Sequence, residues 1–166
     1  MERRGDDSLV WSPPFAIELS WLDANGHLDM SYYHVLFDRT VALALDVLEF
    51  GDSYRKRINA AVTTLETHVL YRHEVHGDDQ VRVSFHLLGV DHTRLHAFQT
   101  MERAADGELL ATSESAFVHL NLETRRAVPI PGEVRRRAHA MVDAQGAVEI
   151  PRSAGRRLAP FAASAA

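Results

Sequence analysis

Between Phe15 and Trp21 the chain alternates: Phe15, Ile17, Leu19 and Trp21 stand against Ala16, Glu18 and Ser20. A period of two is that of a strand with one covered face. Pro13-Pro14 disfavours helix just before it, so "FAIELSWL" is predicted to be a half-buried strand. From Ser31 the period changes. Tyr33, Phe37, Val41, Ala44 and Leu48 recur at three or four residues, with Tyr32, Leu36, Leu43 and Val47 as a second stripe. This predicts a helix over Ser31–Leu48 covered on more than one face, with Gly51 as its stop. Four segments of strand character follow: "TTLETHVLYRHEV", "QVRVSFHLLGV", "RLHAFQTMERA" and "ELLATSESAFVHLNL". Their short Gly- and Asp-rich separators, "HGDD", "GVDH" and "ADG", suit an antiparallel meander.

After Pro129-Ile130-Pro131, "GEVRRRAHAMVDA" reads as a last short helix and "IPRSAGRRLAPFAASAA" as a weakly ordered tail. The chain thus divides into a polar segment over 1–12, one domain over 13–143 and a tail over 144–166. The expected class is α+β, a five-stranded antiparallel sheet curved around one long helix. Strand edges of such a sheet need cover, and a second copy is the expected cover.

Composition narrows the chemistry. The 166 residues carry a net charge of -5, so no basic field favours nucleic acid as a partner. There is no cysteine, which leaves oxygen and nitrogen as the only nucleophiles. No apolar run approaches a membrane span, and the charged start has no apolar stretch behind it, so a cytoplasmic protein is expected.

The densest chemistry is "WLDANGHLDMSYYHVLFDRT". Asp29 is placed to cap the helix, Asn25-Gly26 to turn the chain, and Asp23 to face the helix start. A helix N-terminus offers N–H donors to a carbonyl oxygen, and a carboxylate opposite it can attack the carbon or deprotonate water. A thioester is a carbonyl with a good enough leaving group.

Asp23-x-x-Gly26-His27 ahead of Tyr32-Tyr33 and a buried helix resembles the hotdog-fold acyl-CoA thioesterases of the 4-hydroxybenzoyl-CoA thioesterase type. "TTLETHVLYRHEV", "LLGVDHTRLHAFQTM" and "LLATSESAFVHLNLETRRAVPIP" are similar to the betainyl-CoA thioesterases of carnitine breakdown. The resemblance implies a homodimer, or a dimer of dimers, with the active site at the dimer interface. It implies a coenzyme A thioester as substrate, with no cofactor and no metal. Asp23, Gly26 and His27 become the catalytic loop, with Asp23 as nucleophile or base. The N–H groups near Met30 and Ser31 become the polarising donors. Tyr32, Tyr33, Glu66, His68 and Arg94 become the substrate-binding candidates, and Arg72, Arg125 and Arg126 further partners for phosphate.

Relatives commonly carry a neutral residue in place of Asp29. An added anion there is expected to raise the pKa of Asp23 if both face one cavity. Asp38, four residues after His34 on the helix, is a rival carboxylate. Glu66, His68, His92 and His96 are the side chains weighed as metal ligands, and no metal site is expected among them. The competing readings are a hotdog hydratase or dehydratase, which typically spaces Asp-x-x-x-x-His one residue wider, and a binding protein that does not turn its ligand over.

Overall fold

A computed structural model describes residues 8–146, 148–149 and 152–156. The elements run β1 (Val10–Trp11), β2 (Phe15–Ala16), α1 (Met30–Val47), α2 (Asp52–Ile58), β3 (Ala60–Tyr71), β4 (Gln80–Val90), β5 (Arg94–Arg103), β6 (Leu109–Asn121) and α3 (Gly132–Gln145). All strand pairings are antiparallel, in the order β1-β4-β5-β6-β3, with β2 also on β4. The two-residue strands β1 and β2 share one edge of β4, so the six strands occupy five positions. The four long strands follow the four predicted segments, and α1 packs against the sheet as one long helix.

Three irregularities bend the sheet, at Thr64/Glu66, Leu87/Gly89 and Met101/Glu102. Tyr33, Leu36, Phe37, Thr40, Val41 and Ala44 make the buried side of α1. Its N-terminal half enters one core cluster with Trp21, Val81, Val83 and Met101, and its C-terminal half another with Phe85, Leu87, Phe117 and Val134. The buried Gln99 side chain ties sheet to helix, donating to the Phe37 carbonyl at 3.0 Å.

Three expectations are corrected. The first strand ends at Ala16, opposite Gln80, where β4 begins. Beyond it the backbone has no strand to pair with and closes its own turns, Trp21 N–H to the Glu18 carbonyl and Leu22 N–H to that of Leu19. Leu19, predicted to face inward, is 79% exposed. The second stripe of α1 is likewise only partly covered within one chain, since Leu43 and Val47 are exposed while Leu36 is buried. Finally, α1 stops before Gly51, with Leu48 closing it and Glu49 in the left-handed region at φ 62°. Gly51 instead precedes α2, which buries Tyr54.

The end of α3 ties Ser8, the first described residue, to β4. Gln145, fully buried, accepts the Leu87 N–H at 2.7 Å beside the β4 bulge and donates to the Ser8 carbonyl at 3.0 Å. Ser12 is buried on β4, exchanging backbone and hydroxyl hydrogen bonds with Val83.

Candidate active site

Residues 22–28 form a small hairpin ahead of α1. The Gly26 N–H donates to the Asp23 carbonyl at 3.0 Å, the Asp23 N–H donates to the His27 carbonyl at 2.8 Å, and Leu22 bridges Leu28. This is a tight turn that ends in one left-handed residue, and Gly26 supplies it at φ 79°. The Asp23 carboxylate closes the same turn through Oδ1, which accepts the N–H of Asn25 at 2.8 Å and of His27 at 3.1 Å. Those two donors, His27 first, hold the Asp23 carboxyl below the usual carboxylate range.

The expected upward push from Asp29 is therefore overturned. Asp29 turns to its own helix, where Oδ1 accepts the Ser31 N–H at 2.9 Å and the Ser31 hydroxyl. These bonds hold the Asp29 carboxyl low as well, and Asp29 does not line the cavity that holds Asp23. The cap also changes which donors are free. The Ser31 N–H is taken by Asp29, and the Tyr32 N–H by the Asp29 carbonyl. At the helix start the Met30 N–H keeps no hydrogen-bond partner among the described residues.

Asp23, His27, Met30, Tyr33 and Tyr71 line a cavity of about 360 Å³, with Leu28, Arg72, His73 and Glu74 completing its wall. Tyr33 and Tyr71 meet edge to face, ring centroids 5.0 Å apart. Burial, and secondarily the neighbouring Tyr71, pushes the Tyr33 phenol up to about 12. The His27 side chain pairs with Glu74, Nε2 to Oε2 at 3.4 Å. At this cavity the structure thus gathers six of the residues singled out in sequence, Asp23, His27, Met30, Tyr33 and Arg72 in its wall and Gly26 in the loop behind it.

The other candidates sit elsewhere within one chain. Tyr32 stacks on Trp21, centroids 5.2 Å apart, with Arg39 over the other ring at 5.4 Å. Glu66 and His68 share a separate polar cavity with His96 and Glu114, on the sheet face away from α1. Arg94 is held by Asp91, with Nη2 2.7 Å from Oδ2. Asp38 and His34 line a third cavity, about 380 Å³, between α1 and β3, with Thr64 and Thr67 on its far wall. His73 and Glu74 were missed. The signal was the polar run "YRHEVHGDD" directly after β3, whose position at the cavity depends on a long-range bridge, His27 to His76, that local pattern does not reveal.

A sequence model of the thioesterase-like superfamily matches residues 17–138. The chain is 32% identical over 136 residues to a betainyl-CoA thioesterase of Pseudomonas aeruginosa, covering 82% of this chain and 86% of that one. It is 28% identical over 142 residues to an L-carnitine dehydrogenase/betainyl-CoA thioesterase of Rhizobium meliloti, covering 86% of this chain but 28% of that longer protein. Among solved structures, a Staphylococcus aureus protein determined in complex with CoA superposes with a TM-score of 0.85 at 24% identity, covering 92% of this chain and 95% of that one. The curved antiparallel sheet around one long helix and the match over most of the sequence agree: the chain belongs to the thioesterase-like superfamily, as a hotdog-fold member of a family of thioester hydrolases.

Proposed function

We propose that this protein hydrolyses a short polar acyl-CoA, betainyl-CoA or a close analogue, to the free acid and coenzyme A, with Asp23 as the reacting carboxylate. The observation that carries the reading is that Asp23 lines one cavity with Met30, the helix-start residue whose N–H has no hydrogen-bond partner among the described residues. A thioester carbonyl there would have its oxygen at the Met30 N–H and its carbon before Asp23. A carboxylate held low by two N–H donors is fully ionised at neutral pH but a weak base. That favours direct attack: Asp23 adds to the carbonyl carbon, the CoA thiolate leaves with the bonding pair, and water then cleaves the mixed anhydride.

The acyl group is read from the walls. A trimethylammonium cannot donate an ordinary hydrogen bond and is received by aromatic faces and a nearby carboxylate. Tyr33, Tyr71 and Glu74 offer both at this cavity. Arg72 on its rim is suited to a phosphate of coenzyme A. The Pseudomonas relative's name supports betainyl-CoA, and the fused Rhizobium relative supports a role next to carnitine oxidation. No helix among the described residues is long and apolar enough to cross a membrane. The reading puts the enzyme in the cytoplasm, where its substrate is met, and requires no cofactor. It works as a homodimer, or a dimer of dimers, whose second copy covers the open edge of β3.

The test is release of free thiol from a panel of acyl-CoAs, with wild type, Asp23→Asn and Asp38→Asn side by side. Betainyl-CoA should be among the best substrates, and Asp23→Asn should lose roughly 10²–10⁴-fold in kcat while Asp38→Asn stays within a few-fold. No release from any member sinks the enzyme reading, release from long-chain members alone sinks the betainyl one, and an active Asp23→Asn with a dead Asp38→Asn moves the chemistry to the third cavity.

A further inference from the structure

His27, Glu74 and His76 each bring one ligand atom, two imidazole nitrogens and a carboxylate oxygen, to within 4.8 Å of one another. They come from two stretches far apart in sequence, and the backbone fixes their meeting. His27 and His76 are antiparallel bridge partners, and the Leu28 N–H donates to the Val75 carbonyl at 2.8 Å. The His76 N–H is further anchored on Asp79 Oδ2 at 2.9 Å. The two imidazoles stand edge to face with centroids 5.0 Å apart. His27 Nε2 and Glu74 Oε2, at 3.4 Å, already have the separation of two ligands on a tetrahedral zinc, roughly 3.3 Å for bonds of about 2.0–2.1 Å.

From this geometry we infer that His27, Glu74 and His76 form a binding site for a divalent transition ion, Zn2+ above all, at the rim of the Asp23 cavity, and that its occupancy slows hydrolysis. Two imidazoles and one carboxylate suit zinc, cobalt, nickel or copper rather than calcium or magnesium, which take oxygen ligands. Glu74 and His76 are exposed, so modest side-chain rotation brings the third ligand in, with water completing the shell. His27 and Glu74 are also walls of the substrate cavity. An ion between them fixes both side chains and places positive charge beside the Asp23 carboxylate, which weakens it as a nucleophile. The ion here is a regulator of the site, and the hydrolytic chemistry runs without it. This differs from the grouping weighed in sequence, where Glu66, His68 and His96 lie on the opposite sheet face.

The test uses the full chain, free of any histidine tag and of chelator. Zn2+ binding is followed by calorimetry, and Co2+ binding by its visible absorption. One ion per chain is expected, with affinity at least about tenfold weaker in His76→Ala and in Glu74→Gln and unchanged in His96→Ala. Melting curves verify that each variant folds, and His76→Gln replaces His76→Ala if that one does not. Zn2+ should slow the wild type and leave His76→Ala, otherwise fully active, unaffected. The reaction is followed by loss of thioester absorbance, since free thiol itself binds zinc. Absence of binding at millimolar ion, or binding that survives His76→Ala and Glu74→Gln, overturns the inference. Binding without inhibition overturns its regulatory half. Because binding is read without substrate, failure of the thioesterase reading leaves this result standing.

Discussion

The Oδ1 of Asp23 accepts the N–H of His27 at 3.1 Å, so the residue proposed to react also fastens the loop that presents it. The bond stabilises the anion, and the Asp23 carboxyl is held below the usual carboxylate range. The reactive form is the carboxylate. It is complete above the lowered value and lost as pH falls through it, so the acidic limb of kcat/KM should lie below about pH 4. Asp29→Asn should leave that limb in place, because Asp29 faces Ser31. A pH profile of both proteins, taken with a chelator present, checks this; a limb near pH 6 that moves in Asp29→Asn would restore the coupling between the two acids.

Gly26 carries the turn. At φ 79° it occupies a conformation that costs an L-residue roughly 1–2 kcal/mol, although its surroundings leave room for a methyl group. Gly26→Ala should therefore fold with a small loss of stability and a larger loss of kcat, since Asp23 and the helix start are aligned by this turn. Comparing denaturant midpoints with kcat separates the two; an unchanged kcat would show that the alignment does not depend on the glycine.

How far the sequence was legible follows from the range of the contacts involved. The spacing of Tyr33, Phe37, Val41 and Ala44 marks α1 because a helix repeats its own register locally. Asp23, Gly26 and Asp29 were legible because turn and cap chemistry is also local. Leu19 misled, since its alternation is genuine but β4 begins only at Gln80, opposite Ala16, and no strand lies where a partner is needed. The helix α2 was passed over because "DSYRKRI" has only Tyr54 buried, although Asp52 at its start and Arg55, Lys56 and Arg57 at its end suit the helix dipole. His73 and Glu74 reach the site because the neighbouring His76 pairs with a residue some fifty positions away, and no window along the chain contains that information.

Away from the site, Tyr54 and His119 make a buried pair whose roles can be assigned. His119 Nδ1 lies 2.9 Å from the Val128 carbonyl, which can only accept. In the neutral ring the proton is thus on Nδ1, and Nε2 accepts the Tyr54 hydroxyl at 2.8 Å. Tyr54→Phe keeps the ring's contact with Phe50 but strands a buried acceptor, at a cost of about 1–3 kcal/mol. Chemical denaturation should show that loss with kcat/KM unaltered, and a neutral result would mean that water reaches His119.

β3 pairs with β6 on one side only, and among the described residues no strand lies on the other. Thr63 to Thr67 are all exposed along it, Leu65 to 60%. An edge of this length leaves a row of unpaired N–H and C=O groups, the usual template for a second strand. Val35, Leu43 and Val47 on α1 add apolar surface that one chain leaves open. Thr64 and Thr67 wall the cavity that holds Asp38, so a partner laid along β3 would roof it. Wild type should therefore sediment as a dimer or larger at micromolar concentration. Leu65→Lys places a charge on the joining edge and should shift the protein toward monomer with a matching loss of thioesterase activity. A wild type that sediments as an active monomer removes the dimer from the mechanism; a monomeric Leu65→Lys with full activity would mean that each chain carries a complete site.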